Sequence, residues 1–479
     1  MHKKIQNNAY FLKEFGIDTE QCKRLLEKAL SYGGDFADLY FEHSFDNYLG
    51  LEDGKVTRSY GDTMLGAGFR TVSGDRTGYG FTEELTMGPM LSAAATASTL
   101  CNMKQVKVNN TFSTPAFDRF YAGSSGFTSF GLNEKLKILQ ELNKACFDLS
   151  PEILKVSAGF YHSVKRILIV TSDGEYIEDF IPGSYLMASV VAERNKQREQ
   201  AGWNLGGKHD LTFYNQQVIR QIAETAVLNA VSLFGAVQPP AGEFPVVLGP
   251  GVTGVLLHEA IGHGMEADFN RKNTSTYSGM LGKKVAQPFV TIVDDATNPN
   301  LAGSINIDDE GTPGTKTVLV ENGILTGYMH DKISAEYYGV KPTGNGRRQD
   351  FQHYPMPRMR NTYMLNGDAD PADVIKQAGK GIYVENVSNG EVKIGEGDFS
   401  FYVSKGRMIE GGKLTTTIKD INIIGNGPKM LADIVMVAND LEMYRGGSGM
   451  CGKNGQSVPV SFGEPTCLVK SLTVGGTAM

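Results

Sequence analysis

The sequence has no run approaching the ~20 consecutive apolar residues that a membrane-spanning helix needs. It also lacks an excess of positive charge. Lys and Arg total 46 against 53 Asp and Glu, giving a formal net charge of −7 and a pI of about 5.7. That balance argues against direct nucleic-acid binding, which calls for a basic face. Cysteine is scarce and odd in number, at Cys22, Cys101, Cys146, Cys451 and Cys467. The opening segment MHKKIQNNAYFLKEFG carries charge but no apolar stretch behind it, so no secretory leader is expected. The expectation is a cytoplasmic protein with free thiols, in which a cysteine matters as a metal ligand or nucleophile and not as a staple. Glycine is abundant, at 57 residues, but follows no period. Collagen-like and low-complexity readings are therefore excluded, and many tight turns are implied.

At 479 residues, 41% hydrophobic and 21% charged, the chain reads as globular and too long for one ordinary core, so two or three domains are expected. Residues 17–30 predict an amphipathic helix, capped by Asp18 or Thr19 and ended by Gly33-Gly34. FADLYFEHSF alternates as a half-buried strand, and Asp53-Gly54 and Ser73-Gly74 predict hairpin turns. Residues 87–103 read as an Ala-rich helix and 121–131 as a loop. Residues 134–147 read as a helix capped by Asn133. Strands are expected over 156–191, broken at Ser172-Asp173-Gly174, then a long helix over 213–234.

The run Gln238-Pro239-Pro240-Ala241-Gly242 is the expected domain boundary. It divides an N-terminal α+β domain (1–237, with a further break near 105–132) from a C-terminal domain (238–479) rich in strand and turn signals. The predicted class is α+β: a mixed α/β domain, then a strand-rich domain carrying a short metal-binding helix. Turns are expected at Asp309-Glu310-Gly311, Glu321-Asn322-Gly323, Ser388-Asn389-Gly390 and Glu410-Gly411-Gly412, and a helix at Pro371–Ala378.

The chemistry concentrates in GVTGVLLHEAIGHGMEADFNRK, which contains His258-Glu259-Ala-Ile-Gly-His263. Zinc peptidases commonly place two His four apart on one helical face. Here they are five apart, and on a regular helix they would diverge by roughly 140°. A widened π-type turn brings such positions nearly into register, and Gly262 and Gly264 are expected to ease that distortion. Zinc lowers the pKa of a water it holds to around 7. Glu259, next to the first ligand, is placed to take that proton as a general base. A third ligand is needed. Cys451, in the Gly-rich segment RGGSGMCGKNGQSVP with Lys453 nearby to favour the thiolate, leads on the residues alone. His330, His353, Glu266 and Asp268 are the alternatives. Cys22 and Cys101 lie on predicted helices and Cys467 in a strand-like run, all as packing residues.

The blocks HEAIGHGMEADFNRK, DDEGTPGTKTVLVENGILTGYMHD, PMPRMRNTYML and GMCGKNGQSVPV, in this order, resemble the TldD branch of the TldD/PmbA family, also labelled modulators of DNA gyrase. GAGFRTVSGDRTGYG is similar to the family's N-terminal region. The resemblance implies a zinc metallopeptidase acting on short or unfolded peptides. Its metal motif is His-Glu-x3-His plus a Cys near the C-terminus. Carried over, these are His258, His263 and Cys451, with Glu259 as the catalytic carboxylate. The PmbA (TldE) branch lacks the His-Glu-x3-His motif, which is intact here. A TldE/PmbA-type partner subunit is implied, or a homodimer.

Asn361 and Thr362 are candidate polar contacts to a substrate held as an added strand, and Arg358 or Arg360 a candidate oxyanion stabiliser. The bland alternative for these arginines is a solvated face or a salt bridge. Asp308-Asp309-Glu310 reads as an acidic turn or as a second cation site. Two competing functions remain at this stage: a non-catalytic interaction protein modulating a partner such as gyrase, and a non-proteolytic zinc amidohydrolase.

Overall fold

A computed structural model describes residues 9–99, 107–122 and 131–475. Cys101, His2, the end of the helix expected over 87–103 and most of the loop expected over 121–131 lie outside the described residues.

The chain opens with a short helix the sequence reading did not expect, α1 (Tyr10–Phe15), stopped by Gly16 at φ +68. Helix α2 (Thr19–Ala29) starts at Asp18, whose carboxylate accepts from the Gln21 amide at 2.8 Å while Gln21 Oε1 accepts from the Asp18 amide at 3.1 Å. This reciprocal capping box satisfies two otherwise orphaned donors. Strands β1 (Phe36–Glu52), β2 (Lys55–Ser73) and β3 (Arg76–Thr82) then form two hairpins. The first turns at Asp53 (φ +46) and Gly54 (φ +79), the left-handed pair that a two-residue hairpin requires. Helix α3 (Met87–Ser98) follows. Helix α4 (Leu132–Leu149) is capped from Gly131, so Asn133 lies inside it. Strands β4 (Ile153–Thr171), β5 (Tyr176–Arg194) and β6 (Gln197–Gly207) complete an antiparallel sheet of order β3-β2-β1-β4-β5-β6. Helix α5 (Gln216–Val231) begins later than expected, because the Asn215 side chain accepts from the Gln217 and Val218 amides and sets its start.

This sheet has two unlike faces. On one, Leu39, Phe41, Phe69, Leu168 and Val170 pack on α2 and α3, while Leu49, Phe160, Leu186 and Val190 pack on α4 and α5. On the other, Tyr40, Ile167, Ile169 and Ile177 meet Ile307 and Phe351 of the second half of the chain. That contact covers only one end of the long strands.

The second half is built on two sheets, so the chain is α+β with a strand-rich C-terminal region. Strand β7 (Gly242–Leu248) pairs with Gly381–Val392 and Cys467–Gly475. Pairing continues through Ile421–Asn426 and Asp398–Glu410 back to Gly381–Val392, which closes a ring of strands. The Ser388-Asn389-Gly390 turn expected from sequence is a register shift inside Gly381–Val392, not a reversal. The second, open sheet has Ile292–Asp295, Asn361–Met364 and Ser461–Glu464 at its centre.

The halves meet through buried charge. Arg70 of β2 lies between Asp38 of β1 and Glu310, at 2.5 and 2.7 Å, with all three side chains fully buried. Arg348 reaches the same Asp38 at 3.3 Å. The acidic run Asp308-Asp309-Glu310 is thus spent internally and not on a second cation. Asp308 accepts from the amides of Glu310, Thr312 and Gly346 at 3.0, 2.8 and 2.9 Å, and Asp309 from the Arg348 amide at 2.8 Å. Removing one partner of a buried pair leaves an uncompensated charge, at a cost of about 3–5 kcal/mol. Arg70→Ala is therefore expected to lower the urea unfolding midpoint by that much stability. An unchanged midpoint would show that the cluster does not hold the halves together.

Candidate metal centre

Strand β7 delivers the chain into a short helical segment that changes pitch twice. It is α-helical over Gly254–Leu257, π-helical over His258–Gly262 and 3-10 over His263–Met265. The His263 amide donates to the His258 carbonyl, five residues back. The widened turn carries both imidazoles to one side. Their ring centroids lie 5.3 Å apart, with planes at 80°.

The glycines of the motif act differently from the sequence expectation. Gly262 sits at φ −59, ψ −51, ordinary helical values open to any residue. What requires glycine is close contact. A Cβ on Gly262 would lie 2.1 Å from Met359 Sδ, one on Gly264 2.7 Å from the Tyr277 ring, and one on Gly254 2.7 Å from the Gly463 backbone. These residues draw the segment against the neighbouring strands and do not relax its backbone.

Cys451 arrives on a hairpin, Met450–Lys453 with Gln456–Pro459, where the sequence suggested a loop. Asn454 (φ +50) and Gly455 (φ +76) form its turn. Asn-Gly is the strongest short hairpin signal, and it was the readable clue to this strand pair. Alternation along the strand turns Cys451 and Lys453 to the buried side. Cys451 Sγ lies 3.5 Å from His263 Nε2. Donor atoms of His258, His263 and Cys451 all lie within 4.8 Å of one another, and all three residues are buried.

Among the described residues, neither ring nitrogen of His258 has a hydrogen-bond partner. A buried, unpaired imidazole is costly unless another electron-pair acceptor meets it. Two imidazole nitrogens and a thiolate are the donors zinc prefers, so these residues fit the metal. Burial raises the Cys451 thiol, but the His263 and His258 imidazoles outweigh burial and hold it well below its ordinary range. Lys453, expected to favour that thiolate, spends its charge elsewhere. Its Nζ lies 3.1 Å from Glu266 and 2.7 Å from Asp268, and donates to the Pro357 carbonyl at 2.9 Å. Glu266 in turn meets His263 Nδ1 at 3.0 Å. Burial pushes the Glu266 carboxyl up, but Lys453 and then His263 bring it down to about 2. A carboxylate on the outer nitrogen fixes the ring and leaves Nε2 facing Cys451. Glu259 Oε2 lies 3.7 Å from His263 Nε2, and its side chain is 26% exposed against 4% for His263. It is the group of the motif that reaches solvent.

The alternative third ligands lie elsewhere or are engaged. His330 packs on Tyr328 and Tyr338, and His353 Nδ1 meets Asp350 at 2.7 Å. Glu266 and Asp268 are held by Lys453. All four residues singled out as substrate contacts are internal instead. Arg360 pairs with Asp294 at 2.6 Å, Thr362 Oγ1 donates to the same carboxylate at 2.8 Å, and Asn361 Nδ2 donates to the Asp295 carbonyl at 2.6 Å. They have no exposed surface, so each polar side chain must find partners within the fold. Arg358, equally buried, donates to the Cys451 carbonyl, while its Nε and Nη1 have no partner. Sequence reasoning missed Phe462 and Tyr444. Their rings stack at 4.8 Å, and Phe462 lies 6.1 Å from the His258 ring. No local signal marks them, since only strand pairing brings them here.

Comparison with known proteins identifies the family. Family models for the PmbA/TldA metallopeptidase match in three consecutive parts: domain 1 over 37–101, the central domain over 126–234 and the C-terminal domain over 241–476. The chain belongs to the PmbA/TldD family of metallopeptidases. Its curated relatives put it on the TldD branch. A metalloprotease TldD homolog of Haemophilus influenzae is 40% identical over 92% of this chain and 93% of its own length. One from Buchnera aphidicola (subspecies Acyrthosiphon pisum) is 38% identical over 94% and 95%. A protein of Saccharolobus solfataricus named a zinc metalloprotease TldD homolog is 30% identical over 95% and 99%. Among solved structures, TldE from Thermococcus kodakarensis shares the fold with a TM-score of 0.75 at 17% identity, over 95% of this chain and 100% of that one.

The contact at Gly254 is with backbone that cannot step aside. Gly254→Ala is therefore expected to cost about 1–3 kcal/mol through overpacking. It should lower the thermal midpoint and the zinc content of purified protein together. A variant with both values unchanged would show that this packing does not position His258.

Proposed function

We propose that the chain is a zinc-dependent peptidase that hydrolyses short or unfolded peptides with little side-chain selectivity. His258, His263 and Cys451 would hold the metal, and Glu259 is the general base. The observation that carries this reading is the buried convergence of two imidazoles and a thiol within 4.8 Å, beside a carboxylate open to solvent. The name of the Saccharolobus relative supports zinc as the ion.

Zinc, when bound, polarises a substrate carbonyl and makes a water acidic enough to lose a proton near neutrality. Glu259 takes one proton from the attacking water as its oxygen bonds to the carbonyl carbon. The carboxylic acid so formed passes that proton to the amide nitrogen as the C–N bond breaks, leaving a new carboxylic acid, which keeps the water's second proton, and an amine. Glu266 keeps the His263 ring oriented through Nδ1. Arg358 tethers the Cys451 carbonyl and so the hairpin that presents the thiol. Main-chain pairing at a strand edge would explain indifference to substrate side chains.

The same reading assigns 238–479 as the metallopeptidase unit and 1–237 as a supporting unit. It places the protein in the cytoplasm, working with a TldE/PmbA-type partner subunit or a second copy. An adaptor without catalysis has no use for a solvent-facing carboxylate beside two buried imidazoles.

Glu259→Gln is expected to reduce cleavage of an unstructured peptide about 10²–10⁴-fold, the usual worth of a general base, with zinc still stoichiometric. Full activity in that variant would remove Glu259 from the mechanism. Cys451→Ala should lower zinc content by elemental analysis. Tight stoichiometric zinc in that variant would mean another residue completes the set.

A further inference from the structure

Among the described residues, the end of the first sheet away from the Ile307 and Phe351 contact carries a row of tyrosines. Tyr60 lies directly opposite Tyr48, Tyr48 opposite Tyr161, and Tyr161 opposite Tyr185, one on each of β2, β1, β4 and β5. Directly opposed residues share a face of a sheet. This is the face away from α4 and α5, because the neighbours Leu49, Phe160 and Leu186 point into the core those helices cover. Tyr48, Tyr161 and Tyr185 are half-buried and Tyr60 is 56% exposed. The rings pair by stacking, Tyr48 on Tyr60 at 5.4 Å and Tyr161 on Tyr185 at 5.0 Å, each at 23°.

Glycine lets one of these rings lie down. A Cβ on Gly159 would fall 2.5 Å from the Tyr48 hydroxyl, and one on Gly50 3.0 Å from the Tyr48 ring. The ring thus rests along the sheet surface over two residues without side chains.

The row runs on towards the metal centre. Gly447 packs against Tyr185, where a Cβ would lie 2.8 Å from the tyrosine Cβ. Asn204 of β6 donates to the Tyr444 hydroxyl at 3.1 Å. Tyr444 stacks on Phe462 at 4.8 Å, and Phe462 lies 6.1 Å from the His258 ring. The track from the tyrosine rim of one sheet to the centre held by the other therefore passes through Gly447 and Asn204 to Tyr444 and the buried Phe462.

We propose that this track is a binding platform for an unfolded, aromatic- or apolar-rich stretch of the peptide substrate, beyond the bond that is cut. The inference rests on the peptidase reading and names where the distal part of the chain is held. Four strands at ~4.8 Å spacing make a platform about 14 Å wide, the reach of about four residues of extended peptide. Flat π-faces accept many side chains and backbone orientations, so the platform favours length over sequence. Its occupant is a peptide and not a partner surface, because Tyr444, hydrogen-bonded by Asn204 beside the row, stacks on Phe462 next to His258.

The test uses the zinc-loaded full chain carrying Glu259→Gln, which should bind without turnover. One probe is a fluorescein-labelled unstructured peptide with aromatic residues along its length, and the other is a labelled tripeptide. Tyr60→Ser and Tyr48→Ser should each weaken the long probe about 2- to 12-fold and leave the tripeptide unchanged. Tyr60→Phe and Tyr48→Phe should bind like the parent, which a general loss of structure would not allow. With Glu259 restored, the Ser variants should raise KM for the long peptide and not change kcat on the tripeptide. Equal binding of the long probe by the parent and both Ser variants would overturn the platform. So would a Ser variant that changes the molecular mass in solution with no change in binding, since the face would then belong to a partner subunit. Failure of the restored parent to cleave either peptide would sink the peptidase reading, while the binding arm still decides the platform.

Discussion

The hydrogen bond from the His263 amide to the His258 carbonyl governs the arrangement around it. A regular α-helix would bond His263 to Glu259 and leave the two imidazoles on diverging faces. One residue of slack puts them side by side. The segment holds that irregular pitch because it is wedged between the ring of strands and the open sheet. Gly254 lies against Gly463, Gly262 against Met359, and Gly427 against the Ala260 carbonyl, where a Cβ would lie 2.2 Å away. Packing on several sides thus over-determines a backbone that would relax in isolation.

Electrostatics then follows from position. The thiol sits beside two imidazoles, and the far nitrogen of one of them is claimed by Glu266, itself neutralised by Lys453. Each charge in this chain has a buried partner, so the set is costly to dismantle in parts. Glu259 stands apart because it faces the open side. The segment is therefore rigid where donors must converge and open where a proton must move.

The long strands of the first sheet serve two ends. Near Tyr40 they are clamped to the second half by apolar contact and by the Arg70 and Arg348 cluster. Further along the same strands the face carries the four tyrosines, half-buried except for Tyr60. The glycines Gly50 and Gly159, which weaken a strand on intrinsic grounds, have a local reason there in the ring they leave room for.

Much of the fold was legible because its cues are local. Asp18 and Gln21 announce a helix start, Asp53-Gly54 a hairpin, and Ser172-Asp173-Gly174 the reversal between β4 and β5. The spacing of His258 and His263 called for a local irregularity such as a π-turn if the two rings were to converge. Misreadings came where a residue's role depends on what lies across space. Asn361, Thr362 and Arg360 look like free polar groups in sequence but are tied to Asp294 and Asp295 on the adjacent strand. Asp308-Asp309-Glu310 resembles a solvated turn or a cation site until Arg70 and Arg348 arrive from afar. What the sequence by itself determined was the α+β class, several hairpin turns and the distorted His-Glu segment, because periodicity, caps and spacing act within a few residues. What only the tertiary structure decided was which distant groups meet: the Cys451 hairpin beside His263, Lys453 on Glu266, and the tyrosines in one row. Those depend on strand register between segments far apart in the chain, which no local pattern encodes.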